Sequence, residues 1–362
     1  MTAPQTDPPR VWVLLGQKAG DNNQVLALAE ALGWPFAIQR IVNRPWELLT
    51  NRSAGTTLAG IDRRRSSALR PPWPELVISA GRRNEPVARW LKKRSGGHAR
   101  LVHIGRPWAP LTAFDLIVTT PQYFLPAAAN IVHNHLPMHR IDQDQVRAEA
   151  AALAPQLGGL KPPYTAILLG GDSGPFVFTP AKARRLALQV NALIAAVGGS
   201  ALVTDSRRTP PDAAAAFWSA LRAPAWRHDW RDSTRPNPYL AYLGLADRLV
   251  LTGESMSMLA EAVAMGKPVH LFAMDDPGHW WRGTHNWRFK PLSHRLAMTV
   301  GPRRMRRDVG RIQQDLVTRG LASWLDAPLN REPLGADIDP GADVMRAAAR
   351  VRALFKNRGR SE

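Results

Sequence analysis

Residues 247–272 constrain the fold of this chain more than any other stretch of its sequence. Residues 249–251 (LVL) predict a short buried strand, and a helical pattern follows the polar turn after them. Gly266 ends that helix, and residues 269–272 predict the next strand. A strand, a helix and a second strand make a βαβ unit, so the sequence predicts an open parallel sheet. Such sheets bind ligands outside the carboxyl ends of their strands.

The turn between this strand and helix is rich in hydroxyl groups. Ser255 and Ser257 can donate to a phosphate, and Glu261 can accept from a ribose hydroxyl on the same side of the helix. A simpler interpretation leaves Ser255 as a helix cap and Glu261 as a solvated helix residue. The local pattern alone leaves both interpretations open.

The motif S-x-S-M-L-A-E-A-x-A-x-G-K-P-V, from Ser255 to Val269, is similar to the donor-nucleotide motif of GT-B glycosyltransferases. In those enzymes a carboxylate at the position of Glu261 binds the nucleotide ribose, and the preceding loop approaches the phosphates. The resemblance therefore implies a donor site that includes Gly253, Glu254, Ser255, Ser257 and Glu261.

Two other predicted strands in the second half end in loops suited to anions. Residues 164–169 (YTAILL) run into Gly170, Gly171, Asp172 and Ser173, where the glycines allow a backbone to approach a phosphate closely. Arg207 and Arg208 follow the strand at 200–204, and we interpret these arginines as part of a diphosphate clamp or, alternatively, of a solvated loop, with Arg207 selected for the donor site.

The first half opens with a predicted strand at 11–16 (VWVLLG), a polar loop, and a helix predicted over 23–32. The loop has neither the G-x-G-x-x-G fingerprint nor a Walker lysine–serine pair, which argues against NAD and P-loop sites. Helix capping is the simpler role for Asp21 and Asn22. The acceptor or anion-binding interpretation covers Gly20, Asn22 and Asn23, with Asp21 as a candidate base.

Arginines also follow two further predicted strands of the first half. Arg82 and Arg83 come after residues 74–80, and Arg106 comes after 101–105, so all three are placed to meet an anion. His133 and His135 are reserve candidates for the base. We favour non-metal roles for them over a zinc site, because no carboxylate partner lies nearby.

Four motifs, G-x-K-A-G-D-N-N-Q, S-A-G-R-R, H-I-G-R-P and N-x-L-P, resemble the bacterial and plant family named for a mitochondrial fission (elongated-mitochondria) factor. The resemblance spans most of residues 11–290. For plant members the family name implies an interaction protein that recruits a membrane-remodelling partner. Some members have been called nucleoside-diphosphate-sugar epimerases, but none of the four tyrosines here has the lysine four residues on that an NAD-dependent epimerase needs.

These patterns predict an α/β chain of two Rossmann-like domains that face a cleft, as in the GT-B fold, with a C-terminal helix crossing back to the first domain. We place an acceptor domain at 11–140, a linker at 141–163, a nucleotide-sugar domain at 164–330, and the C-terminal helix and tail at 331–362. The resemblance to GT-B enzymes implies that neither metal nor cofactor is needed, since helix dipoles and arginines neutralise the departing diphosphate.

Composition limits the partners and the compartment. The 362 residues include no cysteine and carry a formal net charge of +19, which suits an anionic membrane surface, a lipid-linked acceptor or phosphorylated ligands. Nucleic acid is disfavoured because no nucleic-acid-binding motif accompanies the charge. No apolar run is long enough to span a membrane, so we expect a cytoplasmic protein, either free or peripheral at the inner face of the membrane. The sequence does not indicate an oligomeric state.

The function predicted from sequence is therefore transfer of a sugar from a nucleotide-sugar to an envelope lipid or glycolipid. The alternative is a non-catalytic interaction protein. Two segments are also candidates for contacts. A basic and aromatic patch at 40–70 either faces the membrane or is a solvated excursion with ordinary helix packing. An aromatic loop at 275–290 either contacts the base, the sugar or the acceptor, or packs against the other domain.

Overall fold

Continuous apolar runs form the strands of two parallel sheets, as expected for strands that are covered on both faces. The structure is a computed structural model, and it describes residues 7–44, 55–174, 176–275, 296, 299–301, 306–327, 339 and 341–356. The basic patch at 40–70 lies partly outside these residues, and the aromatic loop lies outside them after Asp275.

The described residues form two compact units, and the chain first passes from one to the other between Arg140 and Ile141. The first unit also takes in residues 306–308 and 341–356, and the second takes in 309–327. The first sheet contains β1 (Val11–Leu15), β2 (Phe36–Arg40), β3 (Leu76–Ala80), β4 (Arg100–Ile104), β5 (Leu116–Thr119) and β6 (Ile131–His133), in the order β2-β1-β3-β4-β5-β6. The helices α1 (Ala19–Leu32) and α2 (Gly81–Arg94) follow β1 and β3 directly.

The second sheet has the strand order of a doubly wound nucleotide-binding fold. It contains β7 (Tyr164–Leu168), β8 (Ser200–Thr204), β9 (Ala225–His228), β10 (Arg248–Thr252), β11 (Val269–Phe272) and β12 (Ser323–Trp324), all parallel, in the order β12-β11-β10-β7-β8-β9. When β7 is counted as strand 1 of the unit and the sheet is read from β9 to β12, the strand order is 3-2-1-4-5-6. The order of the strands therefore reverses between β7 and β10. In the first sheet it reverses between β1 and β3.

The remaining helices follow the local signals of the sequence. They are α3 (Gln143–Leu153), α4 (Pro180–Val197), α5 (Pro211–Ala220), α6 (Tyr239–Leu245), α7 (Met256–Val263), α8 (Gly310–Thr318) and α9 (Ala342–Ala353). Asp142 caps α3 by accepting from the amide of Asp144 at 2.9 Å, and the Thr179 hydroxyl caps α4, whose first residue is proline. Among the helices described, none is both long and apolar enough to cross a membrane.

The C-terminal helix α9 packs on the first unit, as the sequence analysis predicted. Its residues Ala347, Ala348 and Val351 are fully buried in the same core as Val25 and Leu28 of α1. Arg352 also donates to the carbonyl of Ala31 at 2.6 Å. The chain therefore returns to its first unit after completing the second.

The first helix begins earlier than predicted, at Ala19 rather than at Asn23. Asn22 does not cap it. Instead its side-chain amide accepts from the amide of Gly16 and donates to the carbonyl of Gly16, both at 2.9 Å, while its backbone amide bonds to the carbonyl of Lys18. The loop predicted to carry Asp21 is therefore the first turn of α1.

Candidate functional site

The loops after β7 and β10 are bonded together at the point where the second sheet reverses its order. The amide of Gly170 donates to the Thr252 hydroxyl at 2.9 Å, and the amide of Gly171 donates to Oε1 of Glu254 at 2.8 Å. A Cβ on Gly170 would lie 2.1 Å from Oε1 of Glu254, and one on Gly171 would lie 2.0 Å from the carbonyl oxygen of Arg208. The packing of the loops themselves therefore requires both glycines, whatever ligand binds beside them.

Glu254 is the buried centre of these loops. Its side chain is fully buried, and Oε1 lies 3.5 Å from Nη2 of Arg208, while Oε2 has no hydrogen-bond partner among the described residues. Burial raises the pKa of Glu254, and the charge of Arg208 and the hydrogen bond from Gly171 oppose that shift. A buried carboxyl group thus sits at the carboxyl ends of three strands.

Ser255 does not cap the helix that it precedes. Its hydroxyl accepts from Nη2 of Arg208 at 3.0 Å, and the first amides of α7 have no side-chain cap within the described part of the chain. Ser257 lies in the first turn of α7 and is half-buried. The capping interpretation of Ser255 therefore does not describe its contacts.

Asp172 and Ser173 shape the loop after β7. Oδ1 of Asp172 accepts from the amide of Phe178 at 3.1 Å, and Ser173 exchanges two backbone hydrogen bonds of 3.0 Å with Phe176. Gly253 is held in place by the side-chain amide of Gln313, which donates to its carbonyl. These contacts fix the loop backbone around Glu254.

A cavity of about 330 Å³ lies at the carboxyl ends of β7 and β8 within the second unit. This volume is at the lower end of the range found for small-molecule sites. The lining residues are Leu169, Thr204, Asp205, Ser206, Arg207, Trp230, Asn237, Tyr239 and Met258. Arg207 is the one predicted donor-site residue in this lining.

Glu261 is hydrogen-bonded to Tyr239, one of the residues that line the cavity. The phenol of Tyr239 donates to Oε2 of Glu261 at 2.6 Å. Burial raises the pKa of Glu261, while the Tyr239 hydrogen bond lowers it. The pKa of Tyr239 is raised well above 10.0 by burial and by the neighbouring carboxylate, so the phenol remains the donor.

The first unit has a smaller cavity, of about 20 Å³, where its own sheet reverses its order. Asp21, Asn22, Arg82 and Arg83 line it together, and a Cβ on Gly81 would lie 2.7 Å from Oδ2 of Asp21. Gly20 and Asn23 are half-buried in the same first turn of α1. The structure thus brings together the predicted base and most of the predicted anion-binding residues.

Positive charge is concentrated around this smaller cavity. Partial desolvation lowers the pKa of the Lys18 amine, the charges of Arg307, Arg82 and Arg83 lower it further, and Asp21 opposes the shift. Arg307 enters from the segment that rejoins the first unit, and its Nε donates to the side-chain carbonyl of Gln122 at 2.7 Å. Four cations therefore lie close enough to influence one another.

Arg106 and the two histidines are not among the residues that line this cavity. Arg106 donates to the carbonyl of Tyr123. His133 is the last residue of β6, and the amide of His135 donates to Oδ2 of Asp343 in α9 at 2.7 Å. Within the described ranges, no group of three or more His, Asp or Glu side chains is arranged to hold a metal ion.

Sequence reasoning missed Tyr239, Trp230 and Asp205, and of the two arginines that follow β8 it selected Arg207 rather than Arg208 for the donor site. Asp205 and Arg208 lie in a loop whose strand end was recognised, but the choice between adjacent arginines depends on the loop's backbone. Tyr239 is 22 residues before Glu261, in a separate helix. The only signal for it was an aromatic residue in the N-P-Y-L segment just ahead of the βαβ unit.

Comparison with known proteins gives a family match over nearly the whole chain. The family model described as mitochondrial fission ELM1 matches residues 19–355. The mitochondrial fission protein ELM1 of Arabidopsis thaliana is 23% identical over 224 residues, which are 56% of this chain and 52% of that protein. The uncharacterized protein RP120 of Rickettsia prowazekii (strain Madrid E) is 24% identical over 293 residues, 72% of this chain and 82% of that protein. The chain thus matches about half the length of the Arabidopsis protein.

Solved structures with a similar fold include an epimerase and glycosyltransferases of GT-B type. The UDP-GlcNAc 2-epimerase of Neisseria meningitidis bound to UDP-GlcNAc superposes with a TM-score of 0.50 at 11% identity, over 96% of this chain and 100% of that one. The ADP-heptose LPS heptosyltransferase II of E. coli gives 0.45 at 12% identity, over 97% and 99%. At 11% identity, the likeness to the epimerase shows the fold alone.

Proposed function

We propose that this chain, which belongs to the mitochondrial fission ELM1 family and has a GT-B-like fold, is a glycosyltransferase that uses a nucleotide-sugar donor. The observation that carries the proposal is the hydrogen bond from Tyr239, which lines the cavity of about 330 Å³, to Glu261 just behind it. Oε2 accepts from the phenol, and Oε1 has no partner among the residues described. The free oxygen suits a ribose hydroxyl, with the base in the cavity.

In the proposed donor site, different parts of the second unit bind the nucleoside and the phosphates. The cavity takes the nucleoside, and the loops that carry Gly170, Gly171, Asp172, Ser173, Gly253 and Glu254, with the hydroxyls of Ser255 and Ser257, adjoin the phosphates. Arginine charge and the start of α7 stabilise the negative charge that develops on the departing diphosphate. The chain's own residues thus supply the electrostatic part of the reaction.

We assign the acceptor to the first unit. Its four neighbouring cations, Lys18, Arg82, Arg83 and Arg307, suit an acceptor with an anionic group, such as an envelope lipid or glycolipid. Asp21 is the proposed general base, since its carboxylate lines the same cavity. Asp21→Asn is expected to abolish transfer and to leave nucleotide binding intact. Equal loss of both would rule out that role.

A binding panel tests the donor site. UDP, GDP, CMP and ADP are titrated calorimetrically into the wild type, Glu261→Ala and the control Glu149→Ala, which changes a half-buried glutamate of α3 in the same unit. We expect one nucleotide to bind selectively, about 10- to 100-fold more weakly to Glu261→Ala, and unchanged to the control.

The alternative is a non-catalytic protein that recruits a membrane-remodelling partner. The observation in its favour is the match to a family described by mitochondrial fission rather than by an enzymatic activity. If none of the four nucleotides binds the folded wild-type protein, the recruiting function becomes the better account.

A further inference from the structure

We propose that Arg208, and not its neighbour Arg207, binds the diphosphate of the ligand, and that Glu254 and Ser255 are positioning residues that aim its guanidinium. The identity of the ligand as a nucleoside diphosphate rests on the proposed function. The claim that this site takes a diphosphate group rests on the geometry of the loops alone.

Arg208 is anchored at both its backbone and its guanidinium. Its amide donates to the Ser206 hydroxyl at 3.3 Å, and its carbonyl accepts from the amide of Asp172 at 3.2 Å. At the other end, Nη2 donates to the Ser255 hydroxyl at 3.0 Å and lies 3.5 Å from Oε1 of Glu254. The loops after β7, β8 and β10 all contribute to this anchoring.

The anchored guanidinium retains free donors. Its side chain is 39% exposed, and Nε and Nη1 have no hydrogen-bond partner in the part of the chain that the structure describes. An arginine fork matches two phosphate oxygens at once. Because Nη2 is already fixed, much of the rotamer entropy of a free arginine is lost before the ligand arrives.

Glu254 is suited to a positioning role because it cannot reach solvent. Its side chain is fully buried, and Oε1 is held by the amide of Gly171 at 2.8 Å. The carboxyl group therefore has a fixed place from which to attract Nη2, while the exposed edge of Arg208 remains open to an anion. Ser255 contributes a second fixed contact on the same nitrogen.

The position of Arg208 relative to the cavity agrees with a continuous nucleotide site. Leu169 and Arg207 line the cavity, and the next residue after each, Gly170 and Arg208, belongs to the anchored loops. Met258 of α7 also lines the cavity, and Ser255 precedes the same helix. A nucleoside in the cavity would thus place its phosphates toward Arg208.

The test compares the two adjacent arginines with inorganic pyrophosphate as the probe. We expect Arg208→Gln to weaken pyrophosphate binding by about tenfold or more, and Arg207→Gln to change it by less than about threefold. Arg208→Lys keeps the charge but not the fork, so it should fall between Arg208→Gln and the wild type. Unchanged binding to Arg208→Gln, or an equal loss in Arg207→Gln, would overturn the assignment.

The positioning role of Glu254 and Ser255 is tested by comparing pyrophosphate binding with nucleoside binding. Glu254→Gln and Ser255→Ala are expected to weaken pyrophosphate binding, while the binding of the free nucleosides uridine, guanosine and adenosine keeps its wild-type value in both. Ser255→Ala keeps the test decisive if Glu254→Gln does not fold. Wild-type pyrophosphate affinity in a folded variant contradicts the positioning role. Pyrophosphate binding without any nucleotide binding would leave this inference standing and overturn the proposed donor site.

Discussion

The phenol of Tyr239 donates a hydrogen bond of 2.6 Å to Oε2 of Glu261, joining the start of α6 to the middle of α7. Both residues are half-buried, and the bond leaves one carboxylate oxygen for a ligand. Tyr239 also lines the cavity of the second unit. The pair therefore connects the proposed nucleotide pocket to the acidic residue that the donor motif singles out.

Tyr239→Phe is expected to change the pH dependence of nucleotide binding. The hydrogen bond from Tyr239 lowers the pKa of Glu261 against the effect of burial, so its removal raises that pKa further. Binding that uses the ionised carboxylate is lost as the pH falls through this pKa, and the loss should begin at higher pH in the variant. Calorimetric titrations across pH measure the shift.

Tyr164→Phe is the matched control, because its phenol donates to the carbonyl of Leu160 at 3.2 Å in the same unit. Its pH profile should follow that of the wild type. Superimposable profiles for Tyr239→Phe and the wild type would show that Glu261 is not the acceptor in binding.

Gly171→Ala should destabilise the second unit strongly. The added methyl would lie 2.0 Å from the carbonyl oxygen of Arg208 and 2.6 Å from the amide of Thr209, and neither backbone atom can move aside alone. We expect a loss of about 3 kcal/mol in the free energy of unfolding. Gly158→Ala is the control, since nothing lies within 4 Å of its added methyl. Equal urea midpoints for the two variants would contradict the packing described.

His103 should make the first unit sensitive to mild acid. It is fully buried, with Nδ1 3.0 Å from the Ser79 hydroxyl, and burial lowers its pKa from 6.5 to about 3. The unfolded chain takes up the proton first, so the stability that neutral His103 contributes is present above pH 6.5 and is lost as the pH falls toward 3. Between pH 7 and 5 the loss is about 2 kcal/mol.

His103→Leu should remove this part of the pH dependence, and His98→Leu, which changes an exposed histidine, should retain it. Urea unfolding at pH 7 and pH 5 gives the comparison. An undiminished acid sensitivity in His103→Leu would show that His103 is not its source.

Asp343 should matter for the docking of α9. Its Oδ2 accepts from the amides of His135 and Leu136 at 2.7 and 3.0 Å, and its side chain is only 15% exposed. Asp343→Ala leaves these amides unpaired and is expected to cost about 2 kcal/mol in the free energy of unfolding. Asp315→Ala breaks a more exposed pair with Arg319 and should cost at most about 0.5 kcal/mol. Similar losses in the free energy of unfolding for the two variants would show that Asp343 does not stabilise the docking of α9.

The fold was readable from the sequence because its strands are short apolar runs with turn signals at their ends. The strand at Val11–Leu15, the helix ended by Gly33, and the helix α9 that returns to the first unit all follow from local pattern or from family resemblance. The start of α1 did not, because Asn22 reaches back to Gly16 instead of capping the helix.

Within the candidate site, sequence reasoning found strand ends but not the contacts between them. Glu254 occurs in a polar turn, yet it is buried because Gly171, 83 residues earlier, donates to it. The sequence analysis predicted that Gly170 and Gly171 allow the backbone to approach a phosphate. The structure shows that both positions also require glycine because a Cβ would overlap with the neighbouring loops. Such long-range pairings leave no local signal.

The tyrosine–lysine criterion, used in the sequence analysis against an epimerase, applies to one class of epimerase. The tyrosine–lysine criterion concerns NAD-dependent epimerases, whereas a UDP-GlcNAc 2-epimerase shares the present fold with a TM-score of 0.50. The criterion therefore does not exclude an epimerase of this fold. Conversion of a nucleotide-sugar without any acceptor would favour epimerisation over transfer.

The central claim, that Glu261 binds the ribose of a nucleotide in the second unit, is tested most directly by removing the ribose hydroxyls. The nucleoside diphosphate that binds best is compared with its 2′,3′-dideoxy form by calorimetry, in the wild type and in Glu261→Gln. We predict that the missing hydroxyls weaken binding to the wild type about tenfold or more and leave binding to Glu261→Gln nearly unchanged. An equal loss in both proteins would contradict the claim.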